Sequence, residues 1–177
     1  MSSRRLITLA GFAACAGLLA YAYFYVQLHL NIQPCPLCMF QRVGVAVLGI
    51  LFLIATLHDS KGWGGRITYA VLLGLAGLGT AAIAARHLYV QHLPPGLVPA
   101  CGAPLDYMMK VMPFTKVITE VLSGSGECAV VNWQFLGLAM PAWVLLWGLG
   151  LGALGVIGNL RGGPSRHTLP EGAHEGA

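Results

Sequence analysis

The chain has 177 residues, 56% of them hydrophobic and 9% charged, with a formal charge of +4. A soluble domain carries about 25% charged residues, so this composition points to lipid as part of the solvent. The 10 Lys and Arg residues are spread along the chain and do not make the dense basic surface that nucleic acid requires. The length supports one compact unit or one small helical bundle.

In chain order, four apolar stretches approach or exceed the roughly 20 helical residues needed to cross a hydrocarbon core. They run over residues 6–28, about 39–57, 67–90 and about 136–158. The uninterrupted apolar part of the second, residues 43–57, rises only about 22 Å at helical pitch. Gln41 and Arg42 are therefore expected at or inside the membrane boundary. The first stretch follows Arg4-Arg5, as a secretory leader would. Its apolar run continues to Leu28, past the usual 7–15-residue leader core, so it is read as a retained span.

Basic residues set the orientation. Arg4, Arg5, Lys61, Arg66, Arg161 and Arg166 fall in the N-terminus, the second linker or the C-terminus, whereas the long linker 91–135 holds only Lys110 and Lys116. By the positive-inside rule both termini are cytoplasmic, and linkers 29–38 and 91–135 face outward. The expected architecture is an all-α membrane protein, a single four-helix transmembrane domain over residues 1–161. The Gly/Pro/His-rich tail 162–177 is expected to be disordered in the cytoplasm.

The long outward linker carries a helical pattern. Leu105, Met108, Met109 and Met112 follow i, i+3, i+4, i+7 spacing, and Phe114, Val117, Ile118, Val121 and Leu122 repeat it after Pro113. This predicts a short amphipathic helix, broken at Pro113, lying at the membrane surface. It is either a cap on the bundle or a surface track that carries a cysteine towards the membrane.

Of the five cysteines, Cys15 lies mid-span and reads as a small buried hydrophobe. The other four all lie in the outward linkers, where an oxidising compartment lets disulfides persist. Orientation was assigned from charge alone, so this coincidence is independent information. Cys35-Pro36-Leu37-Cys38 is a C-x-x-C at the mouth of the second span. Met39 replaces the His that covalent haem attachment would need. No second C-x-x-C completes a zinc site, so no metal is expected.

A redox disulfide remains. Pro36 suits the first helical position, because its missing N–H is an orphan there anyway. Cys38 then lies in the first turn, where the helix dipole favours a thiolate. Arg42 follows at i+4 on the same face. A static clasp would not require Arg42 at the bilayer edge, where charge is expensive; the pattern favours redox chemistry.

Cys101 and Cys128 bracket the amphipathic segment, with Gly102 after the first and Ser123-Gly124-Ser125-Gly126 before the second. They read either as a loop-closing disulfide, worth about 3–4 kcal/mol by chain entropy, or as a relay pair between a soluble partner and the C-x-x-C. His87 and Gln91 share a face at the end of the third span. His87 either binds a carbonyl oxygen there or closes the bundle top beside a snorkelling Arg86.

Other patterns carry no cofactor chemistry. Gly77-Leu78-Gly79-Thr80-Ala81-Ala82 matches G-x-G-x-x-A, but it lies inside a span with no preceding strand. Gly148 and Gly152 mark close helix packing. Trp133, Trp143 and Trp147 read as interface anchors or core.

Taken together, Cys35-Pro36-Leu37-Cys38 with Gln41-Arg42, Arg86-His87 with Gln91, Cys101-Gly102 and Gly124-Ser125-Gly126-Glu127-Cys128 resemble the DsbB family of disulfide-bond formation proteins, from Arg4 to about Trp147. The resemblance implies a four-helix inner-membrane bundle that reoxidises the periplasmic thiol oxidase DsbA and reduces ubiquinone or menaquinone. That route is itself the known example of quinone-linked oxidation in the bacterial periplasm. Carried over by position, Cys101 forms the mixed disulfide with the partner and Cys128 passes electrons to Cys35. Cys38 faces the quinone as the donating thiolate, Arg42 stabilises that thiolate and the reduced ring, and His87 contacts the quinone. Some relatives carry an acid where this chain has Gln41, which receives no role. Two rival readings are a vitamin K epoxide reductase-like enzyme, whose C-x-x-C follows the loop pair instead of preceding it, and a structural or quinone-binding membrane subunit with inert disulfides.

Overall fold

A computed structural model describes residues 3–60, 62–94, 105–124, 126–131 and 133–161. Cys101 and the tail 162–177 lie outside the described residues. Among the described residues, four helices are long and apolar enough to cross a membrane: Ser3–His29, Pro36–His58, Trp63–Gln91 and Met140–Arg161. The protein is a four-helix membrane bundle.

The first span has two parts. α1 covers Ser3–Ala20, and the chain continues as a π-helix over Tyr21–His29. The wider i→i+5 winding is visible in the bond from the Leu30 N–H to the Tyr25 carbonyl, 3.0 Å. Rings four residues apart stack along it, Tyr21 on Tyr25 at 5.0 Å and Tyr25 on His29 at 5.5 Å. Asn31, at φ 53°, then turns the chain; Asn tolerates this left-handed region better than most residues.

α2 is Pro36–His58 and α3 is Trp63–Gln91. The last span, α7 (Met140–Arg161), begins four residues later than the apolar run implied. The residues before it form a hairpin of β1 (Gln134–Phe135) and β2 (Leu138–Ala139). Its turn needs positive φ at Leu136, 53°, and at Gly137, 77°, a conformation that no helix can include.

α3 and α7 pack most closely, and small residues allow it. A Cβ on Gly77 would lie 2.7 Å from the Gly148 carbonyl oxygen and 2.7 Å from the Gly152 Cα. Gly148 and Gly152 are thus the packing stripe their spacing implied, and the Gly77 segment is its counterpart. Beside it, Cys15, Val45, Leu48, Phe52, Leu73 and Leu151 form a mid-bundle core. Cys15, 1% exposed, fits against Gly49 as a small apolar filler.

Charges tie the helix ends opposite the C-x-x-C. Arg66, only 5% exposed, donates from Nε to the Asn159 carbonyl at 3.0 Å and from Nη2 to the Leu160 carbonyl at 3.1 Å. It thereby satisfies carbonyls that the last turn of α7 leaves orphaned. Arg4 pairs with Asp59 and donates to the Ser60 carbonyl, joining α1 to the end of α2.

At the cysteine end, α4 (Leu105–Val111), α5 (Phe114–Ser123) and the one-turn α6 (Gly126–Ala129) cover the bundle. Met108, Val117 and Val121 are buried against Cys35, Leu37, Val90 and Cys128. The apolar periodicity therefore makes a cap over the cysteines. Met109, Phe114 and Leu122, from the same pattern, remain exposed. Arg86 fastens the cap, donating from Nε to the Leu122 carbonyl at 2.8 Å and from Nη2 to the Ser123 carbonyl at 3.2 Å.

The glycine contact yields a matched test. Gly77→Ala should destabilise the bundle by about 1–3 kcal/mol, the usual effect of overpacking. Gly79→Ala, which meets nothing within 4 Å, should be neutral or slightly stabilising. Thermal unfolding of both variants in detergent checks the pair; equal midpoints would remove the close-packing account.

Candidate functional site

The site is built where the π-helical segment, the start of α2 and the end of α3 meet. Cys35 is the N-cap of α2, with extended φ −68° and ψ 165°, and Pro36 occupies the first helical position. The Cys38 N–H points at the Cys35 sulfur, 3.4 Å away, and the two sulfurs are 3.2 Å apart. This refines the expectation for the first turn: the backbone donor serves Cys35, and Cys38 receives the Cys35 thiol. Cys35 is buried and Cys38 half-buried.

One turn further on, Arg42 reaches back across the bundle. Its Nη1 donates to Gln27 Oε1 at 2.6 Å and its Nη2 to the Ala22 carbonyl at 3.0 Å. Both acceptors belong to the π-helical segment. A guanidinium at membrane depth needs protein acceptors, and here one side chain and one backbone group supply them.

His87 lies on the opposite wall, 2% exposed. Its Nε2 is 3.1 Å from the Cys128 carbonyl oxygen and 3.8 Å from the Cys35 sulfur, and its Nδ1 is 3.0 Å from the Gln41 amide nitrogen. Cys35, Cys38, Cys128, Arg42 and His87 are therefore brought together at one end of the bundle, and Cys101 lies outside the described residues. Cys35, Cys38 and His87 present three soft ligand atoms within 4.8 Å of one another. The sulfur separation is that of a thiol pair in hydrogen-bond contact.

A cavity of about 980 Å³ opens beside these groups, walled by Cys38, Arg42, His87, Gln91, Trp143 and Trp147 among others. Its size is that of a small-molecule site, mostly apolar with a few convergent polar groups. The tryptophans expected as anchors or core form part of this wall. Trp143 is held by its own Nε1–H, which donates to the Phe135 carbonyl at 3.2 Å.

Two participants had no assigned role in the sequence reading, Gln27 and Gln41. A signal existed for Gln41: an amide inside the membrane boundary must find a partner. For Gln27 there was none, because its partner is 15 residues away and the π-helical turn that aims it leaves no period in the sequence.

A model of the family described as Disulfide bond formation protein DsbB matches residues 4–158. The chain belongs to the DsbB family. Among its relatives, "Disulfide bond formation protein B" of Xanthomonas campestris pv. campestris (strain 8004) is 50% identical over 143 residues, 81% of this chain and 83% of the relative. The protein of the same name from Xylella fastidiosa (strain Temecula1 / ATCC 700964) is 45% identical over 149 residues, 84% of this chain and 86% of that one. The protein is thus a membrane disulfide-bond formation protein, an assignment that accords with a C-x-x-C preceding the loop pair.

The Arg42 anchor is testable by a double-mutant cycle. Gln27→Leu and Arg42→Met should couple by about 1.5–3 kcal/mol, the range for hydrogen bonds to charged groups. Unfolding midpoints of the two single variants and the double variant, measured in detergent, provide the coupling. Additive effects would mean that Gln27 does not hold Arg42.

Proposed function

We propose that this DsbB-family protein reoxidises a periplasmic DsbA-type thiol oxidase and passes the electrons through two cysteine pairs to a membrane quinone, ubiquinone or menaquinone. The observation that carries this reading is the mostly apolar cavity whose lining includes Cys38, Arg42 and His87. The fit is chemical as well as spatial. The wall is mostly apolar, as an isoprenoid-bearing ring would require, and Cys38, Arg42 and His87 in its lining would supply a sulfur donor, a cation and an imidazole. A quinone bound there supplies a two-electron, two-proton acceptor that diffuses in the membrane.

The chain's own residues carry the remaining steps. A thiolate of the reduced partner attacks Cys101, and Cys128 leaves as a thiolate with the electron pair. The partner's second thiolate then closes the partner disulfide and releases Cys101. Cys128 attacks Cys35, the bond between Cys35 and Cys38 breaks, and Cys38 leaves as the thiolate beside the cavity. Arg42 provides positive charge next to that sulfur, and its two acceptors keep the guanidinium aimed. His87 lines the cavity with its ring, whose Nε2 is 3.1 Å from the Cys128 carbonyl oxygen. Supporting an inner-membrane setting with cytoplasmic termini, Arg4 and Arg66 lie at the helix ends opposite the cysteines.

Purified protein, a reduced DsbA-type partner and each quinone test the proposal, with turnover followed by quinone absorbance. Wild-type protein should turn over. Cys35→Ser should lower the rate by roughly 100-fold or more, because residues acting as one relay fail together. Turnover near wild type in Cys35→Ser would favour inert disulfides and sink the proposal. Arg42→Ala should raise the quinone KM about tenfold, equivalent to about 1.4 kcal/mol, and lower kcat as well. An unchanged KM and kcat would remove Arg42 from the site.

A further inference from the structure

The buried Gln41 amide is not used by the steps above, yet it is 3% exposed and bonded directly to His87. The Cys128 carbonyl oxygen that faces His87 Nε2 has no proton to give, so the bond at 3.1 Å requires the hydrogen on Nε2. In the neutral ring Nδ1 is then a bare acceptor. The group 3.0 Å from it is the Gln41 amide, which donates through its NH₂. The tautomer thus follows from the carbonyl, independently of the orientation of the Gln41 amide.

Nε2 lies between Cys128 and Cys35, 3.1 Å from the Cys128 carbonyl oxygen and 3.8 Å from the Cys35 sulfur. Cys128 belongs to α6, a helix of four residues. One turn has too little internal bonding to hold its own place, so contacts from α2 and α3 must position it. With the proton on Nδ1 instead, two lone pairs would oppose each other between His87 and Cys128, and Gln41 would have to turn its oxygen inward.

We propose that Gln41 is a positioning residue that holds His87 in its Nε2–H tautomer, and that His87 thereby keeps Cys128 within reach of Cys35 for exchange between the two pairs. This rests on the electron path proposed above. In the step concerned, the Cys128 thiolate forms a bond to the Cys35 sulfur as the bond from Cys35 to Cys38 breaks. Cys128 is oxidised, and Cys38 departs as a thiolate with the electron pair; no proton is gained or lost overall. Gln41 is bonded to His87 and acts through that ring.

Three variants and one spectrum test it. Gln41→Met keeps length and volume but has no N–H, and should slow exchange at least tenfold. Gln41→Glu accepts from an Nδ1–H while a charged ring keeps its Nε2–H, and should restore exchange to within about threefold of wild type. The exchange is read without added quinone: fully oxidised protein is mixed with one equivalent of reduced partner, quenched in acid and alkylated, and the Cys35 to Cys128 cross-link is followed by mass spectrometry. Quinone binding is measured separately at equilibrium, so that a change in affinity is told apart from a change in exchange. Nitrogen-15 NMR of histidine-labelled wild type, with His87→Gln to assign the ring, should find Nε2 protonated and Nδ1 bare.

Exchange in Gln41→Met within twofold of wild type would overturn the inference, as would a loss confined to quinone affinity, or a wild-type ring protonated at Nδ1. If wild type itself forms no cross-link between the pairs, the electron path fails and the inference with it. If wild type exchanges and Gln41→Met does so equally, the path stands and the role of Gln41 alone is lost. The spectrum of wild type decides the tautomer even if Gln41→Met does not fold.

Discussion

A histidine ring buried between helices has two polar atoms to satisfy, and at His87 both are committed across element boundaries. Nδ1 is bonded to Gln41 on α2, and Nε2 to the backbone of Cys128 on α6. His87 itself belongs to α3, so one ring joins three elements that the chain separates by 41 and 46 residues. At membrane depth no water relieves an unpaired group. The relative placement of the cysteines therefore depends on these two bonds being made together, and the apolar packing of Leu37, Val90, Val117 and Val121 closes over them.

Arg42 shows the same constraint on the other wall. Its charge must be bonded, and the π-helical segment meets the need with the Gln27 side chain and the Ala22 carbonyl. A π-helical stretch is a recurrent feature of functional sites. Here its wider winding brings a backbone oxygen and a side-chain oxygen to one guanidinium. The cation is thereby fixed on the wall of an apolar cavity instead of snorkelling out to the interface. This arrangement puts a cation, an imidazole and the two C-x-x-C sulfurs in the lining of one mostly apolar space.

The opposite end of the bundle serves stability. Arg66 closes the last turn of α7, Arg4 pairs with Asp59, and the glycine stripe lets α3 and α7 approach until backbone meets backbone. The two ends divide the work. One end ties helices together with charge, and the close glycine contact stiffens the middle. The cysteine end is held by a ring, a guanidinium and a short capping helix.

Much of this was legible in the residues alone. Four spans follow from apolar length, because a helix must be long enough to hide its backbone from lipid. The N-capping position of Cys35 follows from Pro36, and the burial of Cys15 from its place in a span. The pattern from Met108 to Val121 announced an amphipathic segment, and family membership was legible in the ordered motifs. What the tertiary structure decided was partnership. Periodicity reports which face of a helix is apolar, but not which neighbour it meets. So the capping role of α4 and α5, the seat of Gln41 on His87 and the grip of Gln27 on Arg42 appear only when the helices are assembled. The hairpin before α7 escaped because Leu136 and Leu138 are apolar in either state, and only the positive φ at Leu136 and Gly137 distinguishes a turn from a helix start. The four linker cysteines were identifiable by residue type and position in the sequence. The ring that holds Cys128 beside Cys35 was not, because a hydrogen bond between distant segments leaves no spacing to read.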